Sequence, residues 1–334
     1  MKTKIVYCLV SDNEDYYYEQ LLISLCSLRK HNPDTIVEVI CDNETFATLH
    51  DSRSSIYDYD IIVTPVETPR DLLKIEKSRY LKTNLRRLTR GDYLFVDTDT
   101  IICSALDYID DFSFDIAAVR DSHVDRPLPK RSQCRHDAEH WIWREAKKSN
   151  INIEGLWHFN SGVMYVKDEE VAYELYAKWA ERYSELLRYG VQVDQLSLLL
   201  SNNEMNNVIS LLDPKMNCQV LVEEGRNRVE SADIIHYFPG KQRTLLSSSW
   251  IMDPIKETGR INLSIQGIID EPQKFFNELS KVVMHDEASL LNTTSLLKLY
   301  MSCPKEFKVW MKVFRGYYKV KKCLNKKFYE HCIF

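Results

Sequence analysis

The chain has 334 residues, 44% of them apolar and 28% charged, with a net charge of −5. That length allows one large domain, or a domain plus an appendage, that buries enough surface to need no staple. The negative charge argues against nucleic acid as a partner of the whole molecule. Nine cysteines, an odd number with no CxxC pair, read as reduced thiols of a cytoplasmic protein rather than as a disulfide framework or zinc ribbon.

The first ten residues hold two lysines and a short β-branched run. They predict a buried strand over 4–10 rather than a signal peptide. No segment approaches the ~20 apolar residues of a membrane-spanning helix. Leu21, Leu22, Leu25 and Leu28 predict a helix over 16–31 that stops before Pro33. Strands follow at 36–41 and 61–63, then a helix over 70–90 ended by Gly91, then a strand over 92–96 running into Asp97. Another strand is expected at 116–119. From 121 to 158 the periodicity is lost, which predicts an inserted loop with a short helix over the site. Beyond it come a strand at 159–167, helices at 170–189 and from 195, and a last strand at 234–238. Strands separated by helices imply a mostly parallel, doubly wound α/β sheet, whose ligands sit beyond the carboxyl ends of the strands. The tail differs: residues 305–334 carry eight Lys and one Arg against two Glu, interleaved with aromatics. They predict a basic helical segment that either packs on the domain or lies on an anionic membrane surface.

Asp97-Thr98-Asp99 carries the sharpest chemistry. Two carboxylates just past a buried strand can hold a divalent cation such as Mn²⁺ or Mg²⁺ and leave room for phosphate oxygens. Such an ion neutralises charge on a departing diphosphate. Arg79 and Lys82 share one helix face, in reach of a phosphate or a sugar or merely solvated. His136 and His140 lie four apart and could bind zinc, but no third ligand is evident, so acceptor binding or a lid is preferred. Trp141, Trp143 and Trp157 suit either sugar stacking or core packing.

Several segments, in order, resemble retaining glycosyltransferases of family 8. The segment from Tyr93 to Thr100 resembles the family's DxD segment. Ser11-Asp12-Asn13 follows the first strand, where the family binds its nucleotide. The stretch from Ser24 to Pro33 is similar to its first helix and exit, and the stretch from Ser78 to Lys82 carries its basic residue. Phe159-Asn160-Ser161-Gly162-Val163 resembles its Phe-Asn-Ala-Gly-Val. Asp194-Gln195 matches its Asp-Gln pair, the segment from Asp213 to Asn217 its Asn-bearing strand, and the segment from His236 to Lys241 its closing motif. The resemblance covers roughly residues 3–250.

The resemblance implies a GT-A fold with a single catalytic domain over 1–250 and a mostly helical extension over 251–334. It implies metal ligation by Asp97, Asp99 and His236, and donor binding by Val10, Ser11, Asp12, Arg79, Lys82, Asp97, Thr98, Asn160, Gly162, Gly240 and Lys241. Asp194, Gln195 and Asp121 would serve the reacting sugar, with Gln195 beneath its anomeric carbon. The family's Lys-Pro-Trp ending is here Lys241-Gln242-Arg243, so Arg243 could replace the lysine. The implied reaction moves a hexose from UDP-galactose or UDP-glucose to a glycan hydroxyl with retention, in the cytoplasm or at the inner face of the membrane. A sugar nucleotidyltransferase is a second expectation, disfavoured because the loop 11–15 is acidic and lacks glycine. A non-catalytic sugar-nucleotide or glycan-binding module is a third. An inverting mechanism would need Asp121 or Asp194 as base.

Overall fold

The computed structural model describes residues 1–51, 53–220, 225, 227–237, 249–281, 306–307, 309–314 and 316–317. The chain divides into two compact units, Met1–Asn277 and Glu278–Phe334. In the first unit the chain runs β1 (Lys4–Leu9), α1 (Tyr17–His31), β2 (Val37–Asp42), α2 (Asn43–Thr48), β3 (Ile62–Val66), α3 (Lys74–Thr83), α4 (Leu85–Leu88), β4 (Tyr93–Val96) and β5 (Thr100–Ile102). It continues through β6 (Ile116–Arg120), α5 (Asp137–Lys148), β7 (Phe159–Val166), α6 (Glu170–Leu187), α7 (Asp194–Glu204), β8 (Ser210–Leu211), β9 (Cys218–Gln219) and β10 (Ile234–His236). Then come α8 (Ser249–Thr258), α9 (Leu263–Asp270) and α10 (Pro272–Lys281), whose residues from Glu278 on belong to the second unit.

Seven strands form the main sheet, in the order β3-β2-β1-β4-β7-β6-β8. Pairs β1/β2, β2/β3, β1/β4 and β6/β8 are parallel; β7 runs antiparallel between β4 and β6. The sheet is therefore mixed but mostly parallel, as the alternation of signals predicts. All four residues of β4 and all eight of β7 are buried, the unbroken apolar run of strands covered on both faces. Leu81, Leu85, Leu175, Tyr176, Trp179 and Leu198, from α3, α4, α6 and α7, pack on one face against Phe95, Ala118 and Met164.

Three expectations need correction. The single helix over 70–90 is two, Lys74–Thr83 and Leu85–Leu88. At the break the Asn84 side-chain amide donates to the Tyr80 carbonyl at 2.8 Å, which also accepts from the Asn84 backbone N at 3.2 Å. The helix in the 121–158 insertion is not short but has twelve residues, Asp137–Lys148. It is tied to the loop by Arg126 donating to Glu139 at 2.7 Å. Residues 100–102, unassigned by periodicity, form β5, which joins β10 and β9 in a second sheet. Phe238, the expected end of the last strand, lies outside the described residues, as do most residues of 305–334. Among the described residues no helix is long and apolar enough to cross a membrane. The six described cysteines are free thiols.

Candidate active site

The Asp97–Asp99 turn is fixed from three sides. Asp97 N donates to Gly162 O at 2.7 Å, Thr100 Oγ1 to Asp97 O at 2.9 Å, and Tyr237 N to Asp99 O at 3.0 Å. The antiparallel pairing of β5 with β10 sets Thr100 opposite His236. That register brings a histidine 137 residues away to 3.1 Å from Asp99 Oδ1 through its Nε2. One ligand atom from each of Asp97, Asp99 and His236 lies within 4.8 Å of the others.

An amide chain decides how His236 is presented. Gly162 N, a donor that cannot flip, donates to Asn160 Oδ1 at 2.9 Å, and Asn160 Nδ2 donates to the Asp121 carboxylate at 2.8 Å. With Asn160 so oriented, Asn217 must donate through Nδ2 to Asn160 Oδ1, at 2.9 Å. Asn217 Oδ1 is then the atom 3.0 Å from His236 Nδ1, and Nδ1 carries the proton. His236 therefore turns Nε2 toward Asp99, where either a proton or a metal cation can join the two. Two carboxylates plus a neutral imidazole suit Mn²⁺, so the residues present fit the expected ion. Gly162 is required beneath the ring: a Cβ there would stand 2.2 Å from His236 Cε1.

The electrostatics divide the two aspartates. Burial raises the Asp97 carboxyl, and Asp99 adds to this, against the opposing pull of Lys82. Burial would raise Asp99 too, but the charge and hydrogen bond of His236 hold it below the ordinary range. Lys82, almost fully buried, reaches Asp97 at 3.0 Å and Asp194 at 3.7 Å. Arg79 Nε lies 3.0 Å from Asp194 Oδ1, without the alignment of a hydrogen bond. Burial works against the charge on Asp194, yet Lys82, Arg79 and the Ser161 hydroxyl at 2.7 Å hold its carboxyl low. Gln195 Nε2 donates to Asp121 Oδ1 at 3.0 Å, so Asp121 receives amides from both Asn160 and Gln195.

The structure thus gathers Asp97, Asp99, His236, Lys82, Arg79, Asp194, Gln195, Asp121, Asn160 and Gly162 into one connected set, with Thr98 buried in the turn. Buried Val10 and Ser11, with Asp12, sit in an adjoining cluster at the end of β1. There Ser11 donates to Asp15 at 2.7 Å, Arg53 bonds Ser11 Oγ and the Asp12 carbonyl, and Lys74 pairs with Asp12 at 2.6 Å and Asp15 at 2.8 Å. Lys74 keeps the Asp12 carboxyl below its ordinary range, with help from the Glu14 amide. Gly240, Lys241, Gln242 and Arg243 lie outside the described residues. His136 precedes α5 as its N-cap and His140 lies within it; they belong to no three-residue metal cluster among the described residues. Trp143 Nε1 donates to Pro129 O at 3.1 Å, a packing role for one of the three tryptophans.

Sequence reasoning gave no role to Arg53, Lys74, Asn217 or Gln219. Gln219, fully buried, brackets the turn after β6: its Nε2 donates to Arg120 O at 3.0 Å and its Oε1 accepts from Ser122 N at 2.7 Å. Its own backbone N donates to His123 Nε2 at 3.1 Å. Ser122 and His123 hold left-handed φ angles of 53° and 57° directly after Asp121.

Residues 5–241 match the sequence model of glycosyl transferase family 8. A protein of Haemophilus influenzae named for glycosyl transfer is 24% identical over 202 residues, 55% of this chain; the match spans 56% of that relative's length. An active-site mutant of LgtC is 14% identical, with 79% of this chain and 99% of its own covered and a TM-score of 0.50. The galactosyltransferase LgtC with donor and acceptor sugar analogues is 16% identical over the same shares, with a TM-score of 0.49. The first of these structures shares the GT-A fold with the sheet described above. Because the family model spans most of the chain, this protein belongs to glycosyl transferase family 8.

Proposed function

We propose that the chain transfers a hexose from a UDP-sugar, UDP-galactose or UDP-glucose, to a hydroxyl of a glycan, with Mn²⁺ or Mg²⁺ and with retention. The observation that carries this is the convergence of Asp97, Asp99 and His236, with Nε2 of the histidine turned to the carboxylates. These three residues would hold the ion, which when bound supplies positive charge to the leaving diphosphate. Lys82 brings further positive charge to Asp97 and Arg79 to the neighbouring Asp194, and Lys241 is proposed to face the diphosphate.

Ser11 and Asp12 with Val10 are proposed to seat the nucleotide. Asp194 is held ionised by Lys82 and Arg79, ready to accept from sugar hydroxyls. Gln195 donates to Asp121, and its neutral amide is proposed to lie beneath the anomeric carbon. Such an amide steadies positive charge without trapping a covalent intermediate. The acceptor hydroxyl attacks from the face the diphosphate leaves, and a phosphate oxygen of UDP takes its proton. Residues 1–250 are proposed as the catalytic domain and 251–334 as the extension.

The test is release of UDP from a panel of nucleotide sugars with Mn²⁺ and no acceptor, for wild type and Asp99→Asn. We expect slow release from one donor, lost with EDTA and lowered at least about 100-fold in the variant. Absence of any Mn²⁺-dependent UDP binding by wild type would overturn the proposal.

A further inference from the structure

Arg120, the last residue of β6, precedes Asp121 and projects into an aromatic slot. Its guanidinium carbon lies 3.8 Å from the Trp157 ring centroid and 4.0 Å from that of Phe159. Both rings lie against the guanidinium. The side chain is only 12% exposed, yet among the described residues Nε and Nη1 have no hydrogen-bond partner. The carboxylate paired with it is that of Asp125, at 4.0 Å and on a side chain 76% exposed. Burial lowers the guanidinium to about 10, with Asp125 opposing weakly. The other buried cations behave differently. Lys82 has two carboxylates and Arg86 has two carbonyls at 2.9 and 2.6 Å.

A buried charge without counter-charge or hydrogen bonds is costly. Folds tolerate it where a ligand completes the set. Trp157 and Phe159 flank His158 and lead into Asn160, and Arg120 adjoins Asp121, so the slot borders the sugar-binding set on both strands. We propose that Arg120 is a specificity residue for an anionic group, a carboxylate or phosphate, carried by one of the two sugars that meet at this site. A guanidinium edge matches either group with paired N–H donors, and the flanking Trp157 offers an apolar face to the sugar ring that bears it. Asp125 then guards the slot until the anion displaces it. This rests on the glycosyl-transfer site proposed above.

Two arms identify which sugar carries the charge. The donor arm compares Mn²⁺-dependent binding of UDP-glucuronate with that of UDP-glucose by calorimetry. The acceptor arm saturates the protein with Mn²⁺ and UDP, then compares glucuronate and glucose 6-phosphate with glucose by ligand-observed NMR. In one arm the charged form is expected to bind about tenfold tighter or more. Arg120→Met should abolish that preference and Arg120→Lys retain part of it, both with unchanged affinity for UDP. Equal or absent binding of charged and neutral forms in both arms, with UDP still bound, overturns the inference alone. So does a preference that survives in Arg120→Met. Failure of UDP to bind wild type overturns the parent proposal and this one with it.

Discussion

At Gly162 the backbone passes under the His236 ring where a side chain would begin. Gly162→Ala must push the imidazole from its place, because the β-strand behind it cannot yield. We expect a loss of about 1–3 kcal/mol in urea unfolding, with weakened Mn²⁺-dependent UDP binding by calorimetry. Asn217 acts more subtly. Asn217→Leu removes the acceptor from Nδ1 and frees the ring to take its other tautomer. Mn²⁺ affinity should fall about 10–100-fold, and the imidazole ¹⁵N shifts of His236 should move even without metal. An unchanged tautomer in that variant would exclude the relay. The carboxylates were legible in the sequence because a strand end announces them locally. Asn217 was visible only as a segment resembling the family's, since its task depends on Asn160 and Asp121 from other strands. Gly162 was legible only as a donor-binding residue that the resemblance implies, and not as the floor beneath His236.

Among the elements, the turn after β6 carries conformational cost beside the site. Two consecutive non-glycine residues in the left-handed region cost about 1–3 kcal/mol each, and Gln219 holds them. Gln219→Leu should release Asp121 and lower donor turnover more than UDP affinity. Adding Ser122→Gly, which adopts that φ freely, should restore part of the loss. No recovery would mean that Gln219 serves the fold alone.

Elsewhere β2 is fastened through Glu38, which accepts from Lys4 at 2.7 Å, Thr89 at 2.5 Å and Thr64 at 3.0 Å. Burial alone would raise this carboxyl, but those bonds hold it below its ordinary 4.5. Its folded pKa lies under the unfolded one, so its stabilisation is present above 4.5 and is lost as pH falls through the lower, folded value. Glu38→Gln should therefore cost about 1–2 kcal/mol near pH 7, and the two unfolding curves should converge as pH falls below 4.5. Longer periodic elements were readable at this scale. A three-residue strand such as β5 has too few residues to show a period, and the break at Asn84 depends on one side-chain amide.

For the molecule as a whole, the second unit holds a stripe of exposed Val309, Trp310, Val313, Phe314 and Tyr317 in a tail rich in lysine. We expect the full chain to sediment with vesicles containing anionic phosphatidylglycerol, but not with pure phosphatidylcholine. Binding should weaken as salt rises and in Trp310→Ala with Phe314→Ala. The sequence showed this composition but not its occupant, because composition fixes charge and not contact.

His236 comes from β10, on the small sheet, while Asp97 follows β4 of the large one. A cation shared by these residues would act as a rivet between two separately hydrogen-bonded layers. Its binding energy would enter the free energy of their separation as RT ln(1 + [L]/Kd), about 2.7 kcal/mol at a hundredfold excess over Kd. Amide hydrogens of Ile101, Ile102, Ile234 and Ile235 should then exchange with solvent more slowly when Mn²⁺ and UDP are present, while those at the far edge in β3 keep their rate. Ligation would thus be felt as rigidity throughout the small sheet.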